Sequence, residues 1–153
     1  MVLMDNVLAV DSVIHFFDNK YWLFTNLTKH KEASGDDELF VFSSSNLLST
    51  SWKKHNSNPV VSDLANARMA GNLFSLGDKL FRPSQNCTKT YGHSIVINEV
   101  EQLNDDVFIE KKITSIKPNW DKAISATHSI SISQNLIVLD AKVSRWRHSY
   151  KNK

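Results

Sequence analysis

Phe17-Asp18-Asn19-Lys20-Tyr21-Trp22 and Leu76-Gly77-Asp78-Lys79-Leu80-Phe81 decide the fold class of this 153-residue chain. Each is the end of an apolar strand, a tight polar turn and the start of a second apolar strand. Asn19 and Asp78 fall at matching turn positions, where such side chains tolerate the backbone that a short hairpin demands. Ile132-Ser133-Gln134-Asn135-Leu136-Ile137 is a third, weaker copy. The copies lie 59 and then 56 residues apart. That period suits the blades of a β-propeller, each a four-stranded sheet of about 40 to 50 residues or more.

Working outward, the rest of the chain also reads as strand. Val13–Phe17, Tyr21–Thr25, Leu39–Ser43, Asn72–Leu76, Lys79–Arg82, Ser94–Val100, Val107–Ile113, His128–Ile132 and Leu136–Leu139 are short, rich in Val, Ile, Phe and Tyr, and separated by turn residues. Ser129-Ile130-Ser131-Ile132-Ser133 alternates with period two. Only Asp63–Met69 suggests a helical turn. The expected class is all-β: a partial five-bladed β-propeller of about two blades plus part of a third. Residues 1–144 form the propeller-like domain and residues 145–153 a solvated basic C-terminal tail with Arg145, Arg147, His148, Lys151 and Lys153.

Composition narrows the function classes. Hydrophobic residues make up 41% of the chain, enough for a core, and charged residues 22%, which argues against disorder. A net charge of +2 is too small to suggest a nucleic-acid partner. No stretch approaches the roughly 20 apolar residues of a membrane helix. Met1–Val10 lacks a basic leader region and carries Asp5 within its apolar run. The single cysteine excludes an internal disulfide and fits a reducing compartment, so a cytoplasmic location is expected. Cys87 itself reads as a small buried hydrophobe more than as a nucleophile. The six histidines are scattered without metal-ligand spacing, and four glycines leave no phosphate-binding loop. Neither a metal nor a cofactor is expected.

The chemistry concentrates in Phe81-Arg82-Pro83-Ser84-Gln85-Asn86-Cys87-Thr88-Lys89-Thr90-Tyr91-Gly92. One guanidinium, two amides and a phenol in a short β-to-β segment suit a hydroxyl-rich ligand. Arg82, Gln85, Asn86 and Tyr91 are therefore candidate ligand-binding residues. The alternative role for Arg82 and Gln85 is to satisfy buried backbone groups where a strand ends. The repeat register adds three more candidates. Asp11, Arg68 and His128 open the innermost strands of successive units, so a carboxylate, a guanidinium and an imidazole arrive at equivalent ends. Convergence of that kind is what a polar pocket needs. Their structural alternatives are a strand-end cap, a surface ion pair and a core histidine.

These residues also carry a resemblance. Val10-Asp11-Ser12-Val13, Lys20-Tyr21-Trp22-Leu23-Phe24-Thr25, Asn58-Pro59-Val60-Val61, Ala67-Arg68-Met69-Ala70-Gly71, Phe81-Arg82-Pro83-Ser84-Gln85-Asn86-Cys87, Tyr91-Gly92, Pro118-Asn119-Trp120 and Thr127-His128-Ser129 occur in order. Together they resemble the C-terminal half of a five-bladed propeller family similar to the family 43, 32 and 68 glycoside hydrolases. That family is associated with surface-polysaccharide biosynthesis and is related to the propeller-like part of plant glucosamine inositolphosphorylceramide transferase. The Arg-Pro-x-Gln-Asn-Cys segment is the most specific element. Ser12, Met69 and Ala126 depart from the pattern, which has Pro, Pro and Gly there.

The resemblance implies a carbohydrate-active protein whose ligand is a glycan or nucleotide sugar. Relatives carry further blades upstream, including a glutamate where a catalytic acid is expected. A glycosidase needs two carboxylates flanking the bond. Asp11 is the catalytic candidate; Asp36, Asp37, Glu38, Asp105 and Asp106 read as solvated, and no partner stands out. The second reading is a non-catalytic glycan-binding or assembly module. Open sheet flanks predict a homo-oligomer or pairing with the missing N-terminal blades.

Overall fold

The computed structural model describes residues 2–28 and 35–143. The basic tail at 145–153 lies outside the described residues. Among those described, every regular element is a β-strand and all pairing between strands is antiparallel.

The first sheet runs in chain order through β1 (Leu8–Phe17), β2 (Lys20–Thr28), β3 (Glu38–Ser44) and β4 (Lys53–Lys54), with β5 (Val61–Ser62) also on β3. The second runs in the same way through β6 (Phe74–Leu76), β7 (Lys79–Asn86), β8 (Ser94–Leu103) and β9 (Phe108–Ile116). Two smaller pairs follow. β11 (Ile130–Ser133) forms a hairpin with β12 (Leu136–Leu139), and β10 (Ile124–Ala126) pairs with β13 (Lys142–Val143). These sheets do not close into a barrel or a propeller ring among the described residues.

The repeated hairpins follow from their turn residues. Asp18 and Asn19 take φ of 50° and 57°, and Phe17 faces Lys20 across a two-residue turn. Gly77 takes φ of 63° at the equivalent turn between β6 and β7. Positive φ at both central positions of the first turn, and at the first central position of the second, matches the right-handed twist of the strands, and Asp, Asn and Gly adopt it at least cost. Asp63–Met69 makes a single turn, in which the Ala67 amide donates to the Asp63 carbonyl at 2.8 Å, and goes no further.

Two apolar clusters hold the sheets together. Trp22, Phe24, Leu39 and Val41 of the first sheet pack with Leu80 and Leu103 of the second, and Ala67, Met69 and Leu73 join them from the connection. Phe81, Ile95 and Ile97 of the second sheet pack with Ala70 and Ile130, with Ile132 and Leu139 of the third hairpin against them. The second sheet is thus covered on both faces. Alternation explains it: Leu80 points to one cluster and Phe81 to the other. β7 is consequently buried from Leu80 through Gln85, whereas β3 alternates as a strand with one covered face does.

Two local irregularities position the site. β1 carries a bulge: Val10 pairs with Asn26 and Val13 with Phe24, so Asp11 and Ser12 together oppose Thr25. Asp11 takes the left-handed conformation, φ 49°, one that Asp visits more readily than most residues. Further along, the Ile130 amide donates to the Ala70 carbonyl at 2.8 Å. Gly71, at φ 150°, lets the two backbones approach; a Cβ there would lie 2.0 Å from the Ile130 carbonyl oxygen.

Candidate functional site

Residues 68–70 run beside β7. The Gln85 amide donates to the Arg68 carbonyl at 2.7 Å and the Ala70 amide to the Pro83 carbonyl at 3.1 Å. This pairing brings Arg68 against the bulge of β1. Arg68 Nε–H donates to Asp11 Oδ2 at 2.7 Å and its Nη1 to Asp36 Oδ1 at 2.6 Å. Gln85 Nε2 donates to the same Asp11 oxygen at 3.1 Å and to the Met69 carbonyl at 2.8 Å. The Tyr91 ring lies over the guanidinium, 4.8 Å from Arg68 Cζ to the centroid, at cation–π range.

From the other side comes His128, its ring 5.5 Å from that of Tyr91. Asp140 fixes it. Asp140 Oδ1 accepts the backbone amides of His128 at 2.8 Å and Ser129 at 2.7 Å, and Oδ2 pairs with His128 Nδ1. Gly92, at φ 59°, makes room for the imidazole; a Cβ there would sit 2.3 Å from His128 Cβ. Asp11, Gln85, Tyr91, His128 and Asp140 line one pocket of about 390 Å³, with Met69, Ile130 and Leu139 among its apolar walls.

The electrostatics are those of paired charges at a rim. Burial works against the charge on Arg68, but the hydrogen bonds it donates to Asp11 and Asp36 outweigh it and hold its pKa above the ordinary value. Burial likewise disfavours ionised Asp140, yet the Ser129 and His128 amides and the neighbouring imidazole hold the carboxyl below its usual range. Asp11 keeps one oxygen without a protein partner among the described residues, and its side chain is 35% exposed. Tyr91 is half exposed. An acceptor, a phenol and an imidazole therefore face a concave surface with apolar walls.

Arg82 and Asn86 are not brought there. Arg82 is completely buried, and its fork meets Glu110: Nε to Oε2 at 2.7 Å and Nη2 to Oε1 at 2.6 Å. Nη2 also donates to the Asn66 carbonyl at 2.8 Å and Nη1 approaches Met69 Sδ at 3.5 Å. Asn86 Oδ1 accepts from the Thr88 amide and hydroxyl, shaping its own loop. The alternative weighed for Arg82 and Gln85, service to buried carbonyls, is therefore also observed: Arg82 binds that of Asn66 and Gln85 that of Met69. Cys87 is half-buried, burial pushes its thiol pKa up, and Sγ accepts from the Gly92 amide at 3.4 Å. No cluster of metal-ligating side chains occurs among the described residues.

Three acids escaped the sequence reading. Asp36 is paired with Arg68 and mostly covered, not solvated. Asp105 accepts from both Lys20 and Lys53 at 2.9 Å. Asp140 was signalled by its position: it follows β12 directly, across the hairpin from the His128-Ser129 end of β11. No helix of the described residues is long and apolar enough to cross a membrane.

Comparison with known proteins agrees on one family. The family model described as glucosamine inositolphosphorylceramide transferase 1, N-terminal, matches residues 1–139. Glucosamine inositolphosphorylceramide transferase 1 of Oryza sativa subsp. japonica is 34% identical over 112 residues, covering 71% of this chain and 15% of that protein. Its counterpart from Oryza sativa subsp. indica is 33% identical over the same length and with the same coverage. The chain thus corresponds to about 15% of the length of these curated relatives. No solved structure matches.

Proposed function

The chain belongs to the glucosamine inositolphosphorylceramide transferase 1 N-terminal family, and from that premise we propose that it is a carbohydrate-recognising module. Its ligand is a glycan or nucleotide sugar, held in the pocket between the β1 bulge and the third hairpin. Asp11, Arg68, Gln85, Tyr91 and His128 are the binding residues; Arg82 and Asn86 serve the framework. The carrying observation is the convergence of a half-free carboxylate, an exposed phenol ring and an oriented imidazole on one pocket of about 390 Å³. Sugars present hydroxyls in ring planes, which such acceptors and donors read while an aromatic face covers the apolar side. The relatives' name, glucosamine inositolphosphorylceramide transferase 1, contains an aminosugar and supports the same class of ligand.

We read the architecture as a partial five-bladed propeller. Two successive antiparallel sheets, each with four strands running in chain order and the first with β5 also on β3, are each opened by a copy of the same hairpin and followed by a third copy, which supports that reading. A glycoside-hydrolase-like origin fits the same arrangement.

A second reading, catalysis on the glycan, gains from one observation: Asp140 gives the pocket a second carboxylate beside Asp11. Each, however, already accepts hydrogen bonds from its neighbours. Titration of the protein with a panel of monosaccharides, oligosaccharides and uridine-diphosphate sugars, followed by amide NMR shifts, tests the main reading. We expect saturable shifts around Asp11, Gln85 and His128, and a Tyr91→Ala variant that loses about 1 kcal/mol or more of affinity at an unchanged melting temperature. Flat titrations across the panel overturn it. Release of free sugar, abolished by Asp11→Asn, replaces it with the second reading.

A further inference from the structure

Around the pocket the strong hydrogen-bond donors are already engaged, and an acceptor is left open. Gln85 Nε2 donates to Asp11 Oδ2 and to the Met69 carbonyl. Arg68, behind Asp11, donates from Nε to the same oxygen and from Nη1 to Asp36, with the Tyr91 ring over its face. The His128 and Ser129 amides both meet Asp140 Oδ1, and His128 Nδ1 pairs with Oδ2. A neutral imidazole that donates from Nδ1 has an acceptor at Nε2. What remains is one Asp11 oxygen without a protein partner among the described residues, the half-exposed Tyr91 phenol, and Ser129 and Ser131 in the lining.

Two carboxylates stand in the same wall. Asp11 comes from the β1 bulge and Asp140 from the residue after β12, with side chains 35% and 30% exposed. Burial opposes the charge on Asp140, but the Ser129 and His128 amides hold its carboxyl below the usual range, so it is ionised at neutral pH. The rest of the wall includes Val13, Met69, Ile130 and Leu139. An anionic group brought here meets like charges and loses its water against apolar side chains. A sugar hydroxyl donates to the open Asp11 oxygen, and the C–H face of the sugar ring suits the apolar side.

We infer that the pocket takes an uncharged saccharide and rejects anionic ones, whether nucleotide sugars, sugar phosphates or uronic acids. This selection rests on the carbohydrate reading of the pocket and deepens it: of a glycan and a nucleotide sugar, the two carboxylates choose the glycan. Asp11 is the selecting residue. Its open oxygen accepts a hydroxyl proton from a neutral sugar, whereas an ionised phosphate brings only acceptors to an acceptor. Asp140 orients His128 and adds a second negative charge from the third hairpin. Specificity here comes from repulsion of the wrong ligand as much as from attraction of the right one.

Calorimetric titration of the whole chain near neutral pH tests this with matched ligands: the methyl glycoside, the 1-phosphate and the uridine-diphosphate derivative of glucose, galactose and N-acetylglucosamine. For each sugar that binds, we expect the methyl glycoside to be tighter than both anionic counterparts by about 10-fold or more at low salt. The gap should shrink as salt rises from about 50 to 500 mM. Ser131→Lys puts an ammonium into the lining at an exposed position of β11 and should narrow the gap by about 3-fold or more. Asp140→Asn should narrow it too; if that variant fails to fold, Ser131→Lys is read alone. An anionic ligand as tight as its methyl glycoside, or a gap indifferent to both salt and Ser131→Lys, overturns the proposal and leaves the carbohydrate pocket standing. Silence from every ligand removes both.

Discussion

Two arginines meet carboxylates in opposite surroundings. Arg82 is wholly buried against Glu110, whose side chain is 8% exposed. Arg68 reaches Asp11 at the rim of the pocket, where that carboxylate is 35% exposed. Both make short, charge-assisted hydrogen bonds, so the bonds alone do not mark a site. What differs is the second side of each carboxylate. Glu110 spends its oxygens on Arg82 and Asn66. Asp11 keeps one oxygen for whatever enters. A buried pair is a framework element that became costly to break, while a rim pair holds an acceptor in place for a ligand.

The largest effect should come from breaking the buried pair. Arg82→Ala strands the Glu110 charge in the interior, a loss of about 3–5 kcal/mol, seen as a collapse of the thermal transition. Arg82→Met combined with Glu110→Leu removes both charges and should recover most of that loss. A folded Arg82→Ala protein that loses ligand affinity at an unchanged melting temperature would break the comparison and return Arg82 to the binding set.

Arg68→Ala should show a different balance. With Arg68 13% and Asp36 17% exposed, the loss of stability should be about 1–3 kcal/mol, less than for the buried pair. Releasing Asp11 from its clamp should also weaken ligand binding by about 10-fold, a single charged hydrogen bond's worth, read by titration beside thermal melts. A loss of stability with binding intact would place the two arginines in one class.

The smallest effect belongs to a pair farther still toward solvent. Hydrogen bonds from Lys53 and Lys20 lower the Asp105 pKa to about 2. A carboxyl depressed in the fold contributes its full share of stability above its unfolded value of about 4, and that share fades as pH falls toward 2. Asp105→Asn should therefore lower stability slightly and evenly above about pH 4, and flatten the curve between about pH 4 and 2, where the natural carboxylate loses its share in any case. With 24% of its side chain exposed, solvent screening keeps this contribution small.

Much of this was legible before any coordinates, because hairpin turns are local. Asp18-Asn19 and Gly77-Asp78 announce their turns within six residues, and all three repeated hairpins are present. β4, β5, β10 and β13 were not legible: strands of two or three residues exist only because a neighbour stands beside them. Asp11, Arg68 and His128 could be gathered because the repeat equates the ends of strands, and Gln85 and Tyr91 because one short polar segment carries both. Arg82 went astray for a readable reason. Period-two alternation puts it on the face of β7 that holds Leu80, which is the core face. Its partner was not readable, since Glu110 is fixed by a register between β8 and β9 that shifts twice along its length.

The bulge in β1 has a further consequence. On either side of Asp11-Ser12 the strand keeps strict alternation, but the two halves are out of step by one residue. The strand behaves like a vernier: the half that ends at Phe17 is read against the turn, the half that begins at Leu8 against the far end of β2. The carboxylate offered to the pocket stands at the slip between the two scales. Its aim is encoded in how many residues separate Val10 from Val13, and only secondarily in which residues they are. Counting, in this strand, is part of the chemistry.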